Sequence, residues 1–365
     1  MKVRKIMHVT DLHLNPLHRI PQSRNSKFHC QISEKWDCVC SNIREQDIDL
    51  GIISGDIFHL KNPKIYCSED ITYYTEMFER SGIQWLCIPG NHDLPESSFG
   101  QLRKTPYNLL MKATNNLTSL VSHKDLGGSG SSLENIKLNP MWDCFMNVFS
   151  IPINILGLPY LPLNDTINCL PHLNEFASSK EGFNLLLLHM DVLVDPNIFL
   201  FWPVAGYDKV LDLIPNFSCV CLGHIHQSFP VYNRISPITN HPQLVSKPWS
   251  FSRVAKDYFN KVSIYEKLHK PSYSVITLTE DEGRFNVSVE YKIIDYAPFE
   301  EAFKQDSLKK QIENNVVIKD FIEQVKKNFG DVNKGFSIID SNAYYSSLEM
   351  PKEVRDMINK YLEES

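Results

Sequence analysis

"IQWLCIPGNHD", Ile83 to Asp93, is an apolar run that ends in a glycine, an amide, an imidazole and a carboxylate. The run has the length and composition of a buried strand. Gly90 supplies a turn, and Asn, His and Asp are ordinary turn residues, so the four letters alone decide nothing. The same arrangement, however, occurs four more times. The first predicted strand, residues 5–10, runs into "DLH" with Asp11 and His13, and "DLGIISGD" ends in Asp56. "FNLLLLHMD" carries His189, and "FSCVCLGHIH" ends in His224 and His226. Between the first three strands, "ISEKWDCVCSNIREQ" and "EDITYYTEMFERSG" have helical spacing, the second stopped by Gly82. Alternating strands and helices predict an α/β domain with its working residues at the carboxyl ends of the strands. Five polar ends at the same edge of one sheet point to a single shared site.

The donor types say what that site could hold. Imidazole and carboxylate with an amide oxygen suit Mn, Fe or Zn, and the lack of cysteine argues against a structural zinc cage. Two cations about 3.5–4 Å apart need a bridging ligand, and the two oxygens of Asp56 qualify. Asp11, His13 and His226 would then hold one ion, and Asn91, His189 and His224 the other. His92 is left for proton transfer or for gripping a phosphate oxygen. Asp93 is expected to accept from the other ring nitrogen of His92 and fix its tautomer, with a turn cap as its plainer role.

Bulk properties set the frame. At 365 residues the chain exceeds one small core. No apolar run is long enough to span a bilayer, and the start, "MKVRKIMHVTDLH", reads as a first strand and not as a signal peptide. The nine cysteines include Cys87, Cys219 and Cys221 inside apolar runs, which fits reduced thiols in an intracellular protein. The pairs Cys38/Cys40 and Cys219/Cys221 could be soft-metal ligands, but residues i and i+2 of a strand share a face without any metal. The net charge of -6 argues against holding nucleic acid by charge alone, but not against an enzyme whose cations face a phosphate. Residues 229–295 look β-rich. From about 299 the chain is polar with helical apolar stripes, Phe321/Ile322/Val325/Phe329 and, after Pro351, Val354/Met357/Ile358/Tyr361/Leu362.

As a set, "DLH", "GD", "GNHD", "H" and "GHIH" resemble the five motifs of the calcineurin-like metallophosphoesterases over roughly residues 5–230. The resemblance implies an α/β (α+β) fold: a four-layer β-sandwich flanked by helices, with a dinuclear site at the strand ends. "SGDIFHLKNP", "LPYLP" (158–162), "LLLLHMDV" and "GHIHQ" are similar to the SbcD-type nuclease subunits of DNA-repair complexes, and the size and tail are most similar to phage recombination nuclease subunits. This implies three parts: 1–240 as nuclease domain, 241–298 as a small capping domain over the DNA path, and 299–365 as a C-terminal helical partner-binding segment. "KPWS" (247–250) departs from the Pro-Gly-Ser-like turn of that group. His59, in "GDIFH", is implied to sit near the metals and touch the substrate phosphate.

The implied activity is a Mn-dependent DNA nuclease, exonuclease or endonuclease, cutting phosphodiester bonds with two divalent ions. Two alternatives stand beside it: a phosphomonoesterase or protein phosphatase on the same site, and a scaffold that lost its metals. Protein phosphatases of the superfamily carry an Arg beside Gly-Asn-His, and "GNHDLPESS" has none. Candidate DNA contacts are His18, Arg19, Arg24 and Lys27 in the basic loop, with Arg253 and Lys256. The implied partners are DNA, an SMC-type ATPase of the SbcC class gripped by the C-terminal helices, and a second copy of the chain docked through the "EDITYYTEMFERSG" region and residues 99–115. No membrane partner is implied. The implied location is the cytoplasm or nucleoid, for a phage-encoded protein that of the host.

Overall fold

Thirteen strands and five helices of seven residues or more make up the described part of the chain, residues 2–94, 99–121, 152–193, 204–226, 231–253, 270–282 and 284–304 of a computed structural model. The first sheet begins with β1 (Lys2–Val9), β2 (Leu50–Ile53), β3 (Gln84–Cys87) and β4 (Leu117–Ser119), all parallel neighbours. They are linked by α1 (Phe28–Glu45), α2 (Ser68–Glu79) and α3 (Pro106–Ala113). The second sheet contains β5 (Ile153–Leu158), β6 (Phe183–His189) and β9 (Cys219–Gly223), again parallel, with α4 (Leu163–Ser178) and α5 (Tyr207–Leu213) between them. A two-stranded ribbon, β7 (Val192–Leu193) with β8 (Ala205–Gly206), lies between β6 and α5 in the chain.

Side-chain alternation builds the layers. One parity of each strand points between the sheets: Ile6, Ile52 and Leu86 from the first meet Ile155, Leu185, Leu187 and Cys221 from the second. The other parity packs on helices. Met7, Val9, Ile53 and Trp85 meet Trp36, Tyr74 and Phe78 on one side. Leu186, Leu188, Val220 and Leu222 meet Leu170, Leu173 and Val210 on the other. The result is the four-layer sandwich, helices, sheet, sheet, helices. It also explains why "LLLL" and "CVCL" show no polar alternation, because strands covered on both faces read as continuous apolar runs.

The five polar strand ends therefore divide between two sheets and do not share one. Those of β1, β2 and β3 belong to the first, and those of β6 and β9 to the second. Between the sheets lies a buried polar link. His8 Nδ1 is 2.8 Å from Ser246 Oγ, and its Nε2 is 2.9 Å from Ser54 Oγ. Burial, and then Lys247, push the His8 pKa down to about 3, so the ring joins the sheets as a neutral donor and acceptor.

The separate capping domain over 241–298 is a correction. β11 (Pro242–Ser246) runs parallel to β9 inside the second sheet, with β10 (Tyr232–Ile235) at its edge. β12 (Ser272–Asp281) pairs antiparallel with β1 from Lys2↔Glu280 to His8↔Ser274, and β13 (Arg284–Ile293) closes that edge. The reason is burial on both faces: Tyr273 and Val275 enter the helix-side core, while Ile276 and Leu278 enter the core between the sheets. Residues 254–269 of that range lie outside the described residues. So do both C-terminal apolar stripes, since description ends at Lys304, whose N–H donates to the Ser23 carbonyl at 3.0 Å. Among the described residues no helix is long and apolar enough to cross a membrane.

A chain ending at residue 240 is expected not to fold cooperatively. It would strip β1 of its β12 neighbour and remove Ile276 and Leu278 from the central core. Thermal unfolding followed by circular dichroism checks this. A sharp transition in the truncated chain would restore the capping-domain division.

Candidate metal centre

Local backbone geometry explains why each strand end turns its polar residue to one point. Asp11, His13 and Asp56 have φ of 54°, 46° and 52°, and His224 has φ of 91°. These are four of the seven non-glycine residues with positive φ among the described residues. Asp and His tolerate the left-handed region better than most residues, and such strain concentrates where function needs a fixed direction. Backbone bonds hold the turns together: Asp11 N–H donates to the Gly55 carbonyl at 3.2 Å and His13 N–H to the Asp56 carbonyl at 2.9 Å. Two glycines make the approach possible. Gly55 takes φ 94° under the His189 ring, and a Cβ at Gly90 would collide with the Asp56 carboxylate.

Asp56 sits at the centre, 1% exposed. Its Oδ2 is 3.3 Å from His189 Nε2 and 3.7 Å from His13 Nε2. On the first side, His13 Nε2 lies 2.9 Å from His226 Nε2, which is 4.0 Å from Asp11 Oδ1. On the second, Asn91 Oδ1 is 3.0 Å from both His189 Nε2 and His224 Nδ1. Two cation-sized groups result, Asp11/His13/His226 and Asp56/His189/His224, each with its donor atoms within 4.8 Å of one another. The spacing fits metal ions: two nitrogens each ~2.1 Å from one cation stand ~3.0–3.4 Å apart at angles between square and tetrahedral. Asp56 is the residue placed between both groups. Its Oδ2 lies within 3.7 Å of a histidine nitrogen from each group.

Supporting contacts orient the candidate donor atoms. Ser54 O accepts from His189 Nδ1 at 2.7 Å. Thr10 Oγ1 donates to Asp11 Oδ2 at 2.9 Å, and His224 N–H to Asp11 Oδ1 at 3.1 Å. The His92 N–H donates to Asp56 Oδ1 at 2.8 Å. The His92 ring is turned elsewhere: its Nδ1 is 2.8 Å from the His59 carbonyl, and it stacks on the His59 ring at 5.2 Å and 13°. His59 Nδ1 comes within 3.4 Å of His13 Nδ1, so His13, His59 and His92 form a third imidazole group at the rim.

Asp93 corrects the sequence expectation. It does not meet the His92 ring, because the His59 carbonyl takes that nitrogen. Its buried carboxylate instead accepts from the N–H groups of Ile57 at 3.1 Å, Phe58 at 2.8 Å and Gly90 at 2.9 Å. It clips the turn after β2 to the turn after β3, the capping role of its residue type. Two of the candidate DNA contacts are also corrected. Arg24 and Arg253 are each 1% exposed. Arg24 donates to the Arg253 carbonyl and to Gln31 Oε1, and Arg253 to the Ala297 carbonyl, while Phe28, Phe303 and Tyr296 cover their guanidinium planes. These planar cations knit the loop after the first motif to the end of the sheet. His18, Arg19 and Lys27 are exposed, and Lys256 lies outside the described residues.

Several neighbours escaped the sequence reading. Asp191 Oδ1 is 3.0 Å from His224 Nε2. The Tyr160 ring stands 5.2 Å from that of His224 and 6.1 Å from that of His189. Lys247, assigned to the capping domain, is buried with its Nζ on the Ile225 carbonyl between His224 and His226, and burial lowers its pKa to about 8 against the pull of Asp11. The signal for Asp191 was present in "HMD", a carboxylate two residues past His189. For Lys247 there was none, since a lysine after a strand reads as solvated.

The charges are tightly linked. Burial disfavours charge on Asp56, yet His189, His92 and His13 together hold its carboxyl well below the usual range. Burial likewise disfavours charge on His189, but Asp56 overrides it and raises the pKa from 6.5 to about 9. That raised value means the pair adds stability to the ion-free fold below pH 6.5 and loses it as pH climbs through about 9. A cation held through His189 Nε2 would have to displace that proton. Apparent Mn²⁺ affinity is therefore expected to rise about tenfold per pH unit below 9 and to level off above. Equilibrium dialysis across pH 6.5–9.5 measures it, and a flat profile would contradict the pairing.

The family model for calcineurin-like phosphoesterases matches residues 4–228. A DNA double-strand break repair protein Mre11 from Methanococcus maripaludis is 21% identical over 378 residues, covering 98% of this chain and 90% of the relative. Among solved structures, a 5'-nucleotidase precursor from Thermus thermophilus has a TM-score of 0.44 at 14% identity, covering 80% of this chain and 55% of its own. A dimetal phosphatase from Danio rerio has a TM-score of 0.42 at 11% identity, covering 80% of this chain and 99% of its own. The fold of the matched family carries a dinuclear metal site, and the strand ends of this chain supply His and Asp clusters able to hold metal ions. By its sequence over most of the sandwich, this chain belongs to the calcineurin-like phosphoesterases.

Proposed function

We propose that this protein is a Mn-dependent DNA nuclease that hydrolyses phosphodiester bonds, acting as the nuclease subunit of an SbcCD-like repair or recombination complex. The observation that carries the hydrolytic part is Asp56 Oδ2 lying between His13 Nε2 and His189 Nε2. The likeness to a DNA double-strand break repair protein along 98% of the chain supports DNA as the substrate. Asp11, His13, His226 and Asp56 would hold one ion, and Asn91, His189, His224 and Asp56 the other. When bound, two such ions would lower the pKa of a coordinated water to about 7 and neutralise charge on the phosphate.

The remaining side chains handle substrate and proton. With His92 Nδ1–H donating to the His59 carbonyl, Nε2 is the nitrogen free to exchange a proton with the departing sugar oxygen. His59, stacked on it, is the candidate for a phosphate hydrogen bond. Burial and the neighbouring His92 push His59 down to about 4, so near neutral pH it donates as a neutral ring. Exposed His18, Arg19 and Lys27 follow the first motif and are suited to backbone phosphates. The helical spacing of the C-terminal apolar stripes in the sequence suits docking on a coiled-coil ATPase, which would bring an acidic nuclease to duplex ends. A second copy of the chain and an intracellular location complete the reading.

Purified protein with Mn²⁺ is expected to degrade linear duplex or single-stranded DNA while sparing a small phosphomonoester. Rapid hydrolysis of the monoester without nuclease activity would turn the reading to a phosphatase. His92→Ser is expected to retain two ions and DNA binding while losing about 10²–10⁴-fold in rate. Loss of an ion on this substitution would make His92 a ligand.

A further inference from the structure

The two histidines beside Asn91 are anchored differently. His189 rests its far nitrogen on a backbone carbonyl, Ser54 O, at 2.7 Å. His224 presents Nδ1 to Asn91 Oδ1 at 3.0 Å and has a full carboxylate, Asp191 Oδ1, 3.0 Å from Nε2. The pair is sheltered, with side-chain exposures of 18% for His224 and 12% for Asp191. Asp191 is itself well placed. It follows β6 by two residues, and its carbonyl accepts from Ala205 N–H at 3.0 Å, where β8 begins. Tyr160 stands beside the same imidazole with ring centroids 5.2 Å apart. His224 follows β9 with φ 91°, a backbone conformation that costs strain.

We infer that Asp191 is a positioning residue. It accepts the Nε2–H of His224, leaves the Nδ1 lone pair to ligate an ion on the Asn91/His189 side, and strengthens ion binding on that side over the Asp11/His13/His226 side. A carboxylate on the remote nitrogen fixes the tautomer of an imidazole and raises its basicity, and removing such a partner typically costs about 10–100-fold in metal affinity. The inference rests on the metal-centre part of the proposed function. It makes the two ions unequal for a stated reason: beyond the shared Asp56, one side has a carboxylate-backed imidazole, while the other adds Asp11, a carboxylate already occupied by Thr10 Oγ1 and the His224 N–H.

The test uses the full chain and Mn²⁺ alone. Equilibrium dialysis of the native protein is expected to give two ions of different affinity. Asp191→Asn should weaken the tighter ion by about 10–100-fold, leave the other within about twofold, and leave the circular dichroism spectrum unchanged. Asp191→Glu should recover part of the loss, which a change in packing alone would not. Two ions with unaltered affinities in Asp191→Asn would overturn the inference and leave the metal centre standing. No ion in the native protein would overturn both. A second measurement needs no variant. In the zinc-loaded native protein, long-range ¹H–¹⁵N spectra should show His224 protonated at Nε2 with the metal shift on Nδ1. A metal shift on Nε2 would overturn the inference whether or not the variants fold.

Discussion

Asp56 Oδ2 lies 3.3 Å from His189 Nε2 and 3.7 Å from His13 Nε2, and the two histidines come from different sheets. That one carboxylate is where the halves of the sandwich meet chemically. Most of the surrounding structure can be understood as what is needed to keep it there. Gly55 and Gly90 leave room for close approach, and Asp93 ties the Asp56 turn to the Asn91 turn through three buried N–H groups. The His8 link, from Ser54 to Ser246, fixes the spacing of the sheets a few residues below.

Such a site works against folding. Strained residues cost about 1–3 kcal/mol each, and a centre rich in imidazole and carboxylate must be kept out of water. Against this stand three apolar cores, one between the sheets and one under each helical layer. The helix-side cores run right up to the site, where Ile53 and Leu188 immediately precede Ser54 and His189. Chain order does the rest. Because the strands that carry the candidate ligands run parallel within each sheet, their carboxyl ends lie together, and one short turn from each suffices. Backbone direction, more than any single attraction, gathers donors from five distant parts of the sequence. The buried cations Arg24 and Arg253 hold the long loop after β1 against the sheet end.

Much of this was legible beforehand. The apolar runs ending in Asp, Asn or His identified β1, β2, β3, β6 and β9, because strands buried on both faces give unbroken apolar signals. What failed did so for physical reasons. Nothing local tells a chain that "YSVITLTE" will pair with its very first strand, so β12 was assigned to a separate unit although it borders β1. Charge misled in the same way: Arg24 and Arg253 look like surface cations until their aromatic covers and carbonyl acceptors are in place. Asp93 and His92 are adjacent in sequence yet face different partners, since a turn sends successive side chains in different directions. Asp191 was overlooked because its partner, His224, lies far along the chain.

The central claim is that Asp56 joins two ions into one centre, and electron paramagnetic resonance of the Mn²⁺-loaded protein tests it most directly. Two Mn²⁺ ions sharing a carboxylate are expected to give an exchange-coupled multiline spectrum at low temperature, replaced in Asp56→Asn by the six-line signal of isolated ions or by no bound signal. An uncoupled six-line signal from the fully loaded native protein would contradict the account.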